Sequence, residues 1–206
     1  MKLYEILVNW PKSYISGTDL HYILNKSPAS RQGIVKRGIQ KGYLVPIRRD
    51  LYLIQGLNKP LLDAFEIAPI IYGPSYISFE SALSYHGWIP EAVRTITSAT
   101  VKRSKEFEGP LGIFSYEHIP IKAFSFAVEQ HQKGGVVLFI ASAIKALADM
   151  IYVKDRNWGS LTNLCEDLRI EIESFQNINK ESLSILIENY PSLRVKKSLK
   201  MILGAL

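Results

Sequence analysis

Cysteine is almost missing from this chain: Cys165 stands alone among 206 residues, so no intramolecular disulfide can form. Histidine is sparse as well. His21, His86, His118 and His131 are scattered without a companion thiol at ligand spacing. Neither a His-Glu-x-x-His motif nor paired cysteines occur, which removes the usual handles for a zinc site. There is no Gly-x-Gly-x-x-Gly fingerprint and no phosphate-cradling loop ending in Gly-Lys-Ser or Gly-Lys-Thr. Long apolar runs are lacking too. The best candidates, Gly134 to Lys145 and Ala64 to Tyr72, fall short of the roughly 18 uncharged apolar residues that a membrane span needs. The first residues, Met1-Lys2-Leu3-Tyr4-Glu5-Ile6-Leu7, carry an acid inside a short apolar run and do not resemble a secretory signal. These absences lead us to expect a reducing, cytoplasmic setting, no metal, no cofactor and no membrane.

Catalysis is not expected either. Cys165 adjoins Glu166 and Asp167, but neighbours on a helix point in different directions and no histidine is near to act as base, so a small core residue is the simpler reading. Glu106, Glu108 and Glu117 would make a hydrolase or nuclease site only if the fold gathered them. What is present is ordinary for a packed protein: 47 % apolar residues, 13 glycines and 10 prolines.

The charge is unevenly placed. Residues 1–60 hold ten basic side chains against three acidic ones, whereas the rest holds 15 against 16, so the net +6 belongs to the front of the chain. Such a segment attracts a polyanion, with binding that weakens as salt rises.

The pattern of that segment decides what the charge is for. Leu3, Ile6 and Leu7 recur at helical spacing, which predicts a short helix over residues 2–9, stopped at Trp10-Pro11. Ser16 or Thr18 can cap a second helix carrying Leu20, Ile23 and Leu24. Ser27-Pro28 supplies a cap and a pre-set first turn for a third helix running to about Lys41, with Ile34, Val35, Gly38 and Ile39 on its apolar side. Gly42 ends it, and Tyr43 to Ile47 leads through Arg48-Arg49-Asp50 into Leu51 to Ile54, two short strands with a charged turn. Three helices followed by a basic hairpin predict a winged helix-turn-helix over residues 1–58.

In that arrangement the third helix enters the major groove, where base edges are distinguishable. Arg31 and Gln32 are the candidates for base contacts, Ser30 and Lys36 for phosphate or base, and Ser27 caps the helix end that faces phosphate. Arg48 and Arg49 would bind phosphate or reach the minor groove. Arg37 either joins this surface or pairs with an acid and covers the core with its stem. A basic helix and hairpin also occur in winged helices that make only protein contacts, so a scaffold that does not read DNA is the alternative.

A hinge is expected at Gly56 to Pro60, followed by a larger mixed α/β domain over 59–206 with a helical end, giving an α+β chain. Its expected elements are a helix over Leu61–Ile67 broken by Pro69, then an extended segment turning into a helix over Tyr76–Trp88. Strands follow at Val93–Val101, Ile113–Tyr116 and Ile119–Ile121. After Gly134-Gly135 the run Val136 to Asp149 suits a buried helix starting somewhere within it better than a strand. Helices then span Leu161–Ile172, Lys180–Tyr190 and Arg194–Leu203. His86 reads as a hydrogen-bonded structural residue before a ligand. Lys102, Arg103 and Lys105 form a secondary basic patch, which either touches DNA or is a solvated loop. Arg194, Lys196, Lys197 and Lys200 make the last helix basic, as a candidate partner surface or a solvated face.

Two segments together resemble the AbiEi family, antitoxin components of type IV toxin–antitoxin systems and related regulators. One is Lys41 to Tyr52, with its glycine, hydrophobic pair, basic turn and tyrosine. The other is Tyr76-Ile77-Ser78-Phe79-Glu80-Ser81-Ala82-Leu83-Ser84-Tyr85-His86-Gly87-Trp88-Ile89-Pro90, followed by Val93 to Ala99. Asp50 stands where the family's turn would carry glycine. The likeness covers roughly residues 1–160. It implies a repressor that binds its own promoter DNA through paired half-sites, as a homodimer or as two copies side by side. It further implies an antitoxin that opposes a nucleotidyltransferase-like toxin without necessarily binding it stably.

Overall fold

The computed structural model describes residues 3–90, 94–133, 136–154 and 158–206. The chain has a mixed α/β topology with a helical C-terminal region. Its N-terminal part runs α1 (Leu3–Asn9), β1 (Tyr14–Ser16), α2 (Gly17–Leu24), α3 (Pro28–Gln40), β2 (Leu44–Arg48) and β3 (Leu51–Ile54). The three strands form an antiparallel sheet in the order β1-β3-β2.

Local chemistry places these ends. Ser16 and Asp19 make a reciprocal capping box at the start of α2: the Ser16 hydroxyl accepts from the Asp19 N–H at 3.1 Å, and the Asp19 carboxylate accepts from the Ser16 N–H at 2.8 Å. Ser27 caps α3 and Pro28 occupies its first turn, as the sequence predicts. Gly42 leaves α3 with φ +72°, a conformation glycine adopts without steric cost. At the β2–β3 turn Asp50 takes φ +58°, which a short polar side chain tolerates better than most. Glycine is therefore not required there.

The larger part continues with α4 (Ala64–Ile71), β4 (Ser75–Ile77), α5 (Phe79–Tyr85), β5 (Thr95–Thr100), β6 (Lys105–Gly109), β7 (Gly112–His118), β8 (Val128–Lys133) and β9 (Val136–Ala141). It ends in α6 (Ala143–Lys154), α7 (Leu161–Leu168), α8 (Lys180–Asn189) and α9 (Leu193–Ala205). A six-stranded sheet has the order β6-β7-β5-β4-β9-β8, with β5/β7 and β4/β9 parallel and the other pairs antiparallel. Helices α5 and α6 pack together, and α9 packs on α6, α7 and α8. No helix among the described residues is long and apolar enough to cross a membrane.

Two apolar cores result. Leu7, Ile15, Leu20, Leu44 and Ile54 fill the small one under the first helices. The large one, around α5, α6 and the six-stranded sheet, also takes in Ile47, Leu51 and Leu53. Strand β3 thus sends alternate residues to two cores, the period of 2 at work on both faces. Across this contact β2 lies beside β6.

Several sequence expectations are corrected. The helix after the hinge starts at Ala64 rather than Leu61, because Asp63 and Glu66 form its capping box. It also runs through Pro69 to Ile71, since Ile67, Ala68 and Ile71 are buried in the large core and hold the turn. Val136–Ala141 is a strand, and the helix begins only at Ala143. Ile119–Ile121 is no strand: Pro120 cannot donate to a ladder, and a 3-10 turn follows at Ile121–Ala123. The helix from Leu161 stops at Leu168, with Arg169 in the left-handed region, and a separate 3-10 segment covers Ile172–Asn177. Strands β1, β6 and β8 were not expected. Val93 and Gly134-Gly135 lie outside the described residues, as does Lys2 of the first expected helix.

Candidate nucleic-acid interface

The first helices and the β2–β3 turn enclose an open concavity of about 730 Å³. Helix α3 supplies Arg31, Gln32 and Lys36 to its wall, α2 supplies His21 and Tyr22, and the turn supplies Arg49. Four of the residues singled out from sequence therefore meet in one place. The side chain of Arg49 is 97 % exposed, and its contact with Asp50 is 3.8 Å long between exposed groups, too weak to neutralise it. Gln32 and Lys36 are exposed, and Arg31 is half-buried.

The scaffold beneath this concavity is tight. The Gly17 N–H donates to the Asp50 carbonyl at 2.8 Å, tying the start of α2 to the hairpin turn. A Cβ on Gly17 would lie 2.9 Å from the Asp50 Cβ, so only glycine fits. On the inner side of α3, a Cβ on Gly38 would come within 2.7 Å of the Leu3 side chain and 3.0 Å of Leu44. Glycine there lets α3 settle against α1 and β2. Tyr52 forms part of the floor; partial burial, assisted by the Asp50 carboxylate, raises its phenol pKa, so it presents a neutral O–H.

The remaining candidates are distributed differently. Ser27 and Ser30 are exposed at the start of α3; the Ser27 hydroxyl accepts from the Ser30 N–H at 3.4 Å and donates to the Ser30 hydroxyl at 3.0 Å. Arg37 lines a second depression on the other side of α3, with Leu3, Tyr4 and Tyr43, and so does not share the Arg31 face. Arg48 lies outside the concavity: its Nη1 donates to the Arg49 carbonyl at 3.3 Å, and its charge acts on Tyr116 of the large sheet. Arg48 is the last residue of β2 whereas Arg49 belongs to the turn, where the chain leaves the strand direction, and this separates the two side chains.

In the secondary basic patch, Lys102 donates to the Gly73 carbonyl and sits over the Tyr72 ring, and Lys105 sits over Phe107. Arg103 is exposed, and its carbonyl accepts from the Tyr72 hydroxyl at 3.2 Å. On α9, Arg194 turns inward and donates to the carbonyls of Ile151 and Tyr152 at 3.2 and 2.8 Å, closing the end of α6. Lys196 donates to the Glu188 carbonyl at 2.8 Å, while Lys197 and Lys200 are exposed. His86 Nε2 donates to the Ala141 carbonyl at 2.9 Å, since a carbonyl oxygen only accepts.

Sequence reasoning missed His21 and Tyr22. With Leu20, Ile23 and Leu24 directed inward, the remaining positions of α2 must face out, and Tyr22 is 76 % exposed. Among the described residues no group of three or more His, Cys, Asp or Glu side chains could hold a metal ion. The chain matches no protein-family model and no curated protein.

Proposed function

We propose that this protein is a DNA-binding transcriptional repressor whose first 58 residues are a winged helix-turn-helix, and that it serves as an antitoxin opposing a nucleotidyltransferase-like toxin. The element order, the sheet order β1-β3-β2 and the excess of basic residues support the winged-helix reading. The observation that carries it is the single concavity in which Arg31, Gln32 and Lys36 of α3 face Arg49 of the hairpin turn. A B-DNA major groove is about 12 Å wide and accepts a helix, and the arginine fork suits guanine while glutamine suits adenine. Arg49, set apart on the turn, would bind a phosphate or reach the neighbouring minor groove. The antitoxin role, promoter binding at paired half-sites and the toxin's identity as a partner rest on the resemblance to the AbiEi family alone.

The test is binding to the gene's own upstream duplex and to a scrambled duplex at two salt concentrations. The double variant Arg31→Ala/Gln32→Ala is expected to lose preference for the upstream duplex, at about 1–3 kcal/mol per lost base contact. Arg49→Ala is expected to weaken both duplexes alike and to reduce the salt slope by about 1. Equal, weak binding of the unaltered protein to both duplexes would reject the DNA-reading role and leave a protein-interaction scaffold. Growth rescue on co-expression with the adjacent gene's product tests the antitoxin role, and continued toxicity would remove it.

A further inference from the structure

We infer that His21 is the positioning residue that sets Arg31 for base contact, so that α2 as well as α3 determines sequence preference; this rests on the DNA-reading role proposed above. Arg31 does not hang free in the concavity. Its Nη1 is hydrogen-bonded to His21 Nδ1 and approaches the Lys26 carbonyl at 3.4 Å. A guanidinium only donates, so Nδ1 must be the acceptor and the His21 ring proton must sit on Nε2. The ring's own orientation is supported by an edge-on contact with Tyr22, with centroids 5.3 Å apart.

The geometry leaves a useful remainder. With Nη1 engaged on the protein, the Nε and Nη2 edge of Arg31 keeps the paired donors that recognise the two acceptors of guanine. A long side chain already held in place also loses less rotamer freedom on binding. Both gains act on the sequence-reading contact and leave the general attraction to phosphate untouched, since the charge of Arg31 is the same whether held or loose. Lys36 and Arg49 line the same concavity and are not held by His21.

The experiment compares His21→Phe, which keeps a ring but has no acceptor, with His21→Asn, whose side-chain oxygen falls close to the position of Nδ1. His21→Phe is expected to lower affinity for the upstream duplex about three- to tenfold while leaving the scrambled duplex and the thermal midpoint unchanged, and His21→Asn is expected to restore most of the loss. In a double-mutant cycle, adding His21→Phe to Arg31→Ala should cost nothing further. Nitrogen shifts of the His21 ring should report the Nε2–H tautomer in the free protein. Undiminished preference in His21→Phe, an equal loss on both duplexes, or additive effects with Arg31→Ala would each overturn the positioning role. If the unaltered protein shows no preference for the upstream duplex, the DNA-reading proposal itself fails and this inference falls with it; the tautomer measurement still separates a broken His21–Arg31 contact from that outcome.

Discussion

Lys145 and Asp149 sit one turn apart on α6, and both side chains are fully buried. Asp149 accepts from the Tyr76 hydroxyl and the Ser78 hydroxyl at 2.8 Å each, from the Tyr190 hydroxyl at 3.0 Å, and from the Lys145 ammonium. Lys145 also sits between the faces of Tyr76 and Tyr190. Burial is tolerable only because every charge is met, so removing one partner strands the other. Asp149→Ala is expected to destabilise the protein by about 3–5 kcal/mol in urea unfolding, whereas replacing the pair together with apolar residues of similar volume should cost much less. A small effect of Asp149→Ala would mean that water reaches the site.

Tyr116 gives a pH signature. It is fully buried and its hydroxyl donates to the Ala68 carbonyl at 2.6 Å. Burial raises its pKa well above the ordinary phenol value, and the nearby Arg48 charge only partly offsets this. A folded-state value above the unfolded one means that the native protein holds the proton longer, so this stability is full below about pH 10 and is lost as the pH climbs beyond it. Lys145, lowered by burial, acts in the opposite sense over the lysine range. The comparison of Tyr116→Phe with the unaltered protein isolates the phenol: the variant's urea midpoint should fall less steeply between pH 9 and 11, on the order of one proton's worth of slope. Parallel curves would show that Tyr116 is not protected from ionising.

Among the elements, the contact between the start of α2 and the hairpin turn is the most sensitive to a single methyl group. Gly17→Ala would press its Cβ to 2.9 Å from the Asp50 Cβ. The expected loss is about 1–3 kcal/mol, read as a lower thermal midpoint. A tolerated alanine would show that the turn can yield. Sequence reached α3 and the β2–β3 hairpin because Ser27-Pro28 and Gly42 mark both ends with residues that act locally. Strands β1, β6 and β8 were hidden for a different reason. Lys105-Glu106-Phe107-Glu108-Gly109 and Val128-Glu129-Gln130-His131-Gln132-Lys133 are edge strands, and their ladders form on one side only while charge and polarity guard the other. For Val136 to Ala141 the apolar run suited either state, and pairing with β4 and β8 decided it. The concavity was half legible: residue types named Arg31, Gln32, Lys36 and Arg49, but only the folded arrangement parts Arg37 and Arg48 from them and adds His21.

At the scale of the whole molecule, the expected boundary near residue 58 runs across shared packing. Ile47, Leu51 and Leu53 belong to the large core, and burying such a side chain contributes about 1.5–3 kcal/mol. An isolated fragment of residues 1–58 is therefore expected to unfold well below the full chain, or without a cooperative transition, in calorimetry. A fragment melting sharply at the temperature of the full chain would establish an independent unit.

The two-sided burial of β3 limits exchange of parts between proteins. A chimera joining this N-terminal segment to a foreign partner would bring three aliphatic side chains in search of a matching socket. Shuffling of such modules in evolution or engineering would have to transplant the receiving surface with the hairpin that fills it.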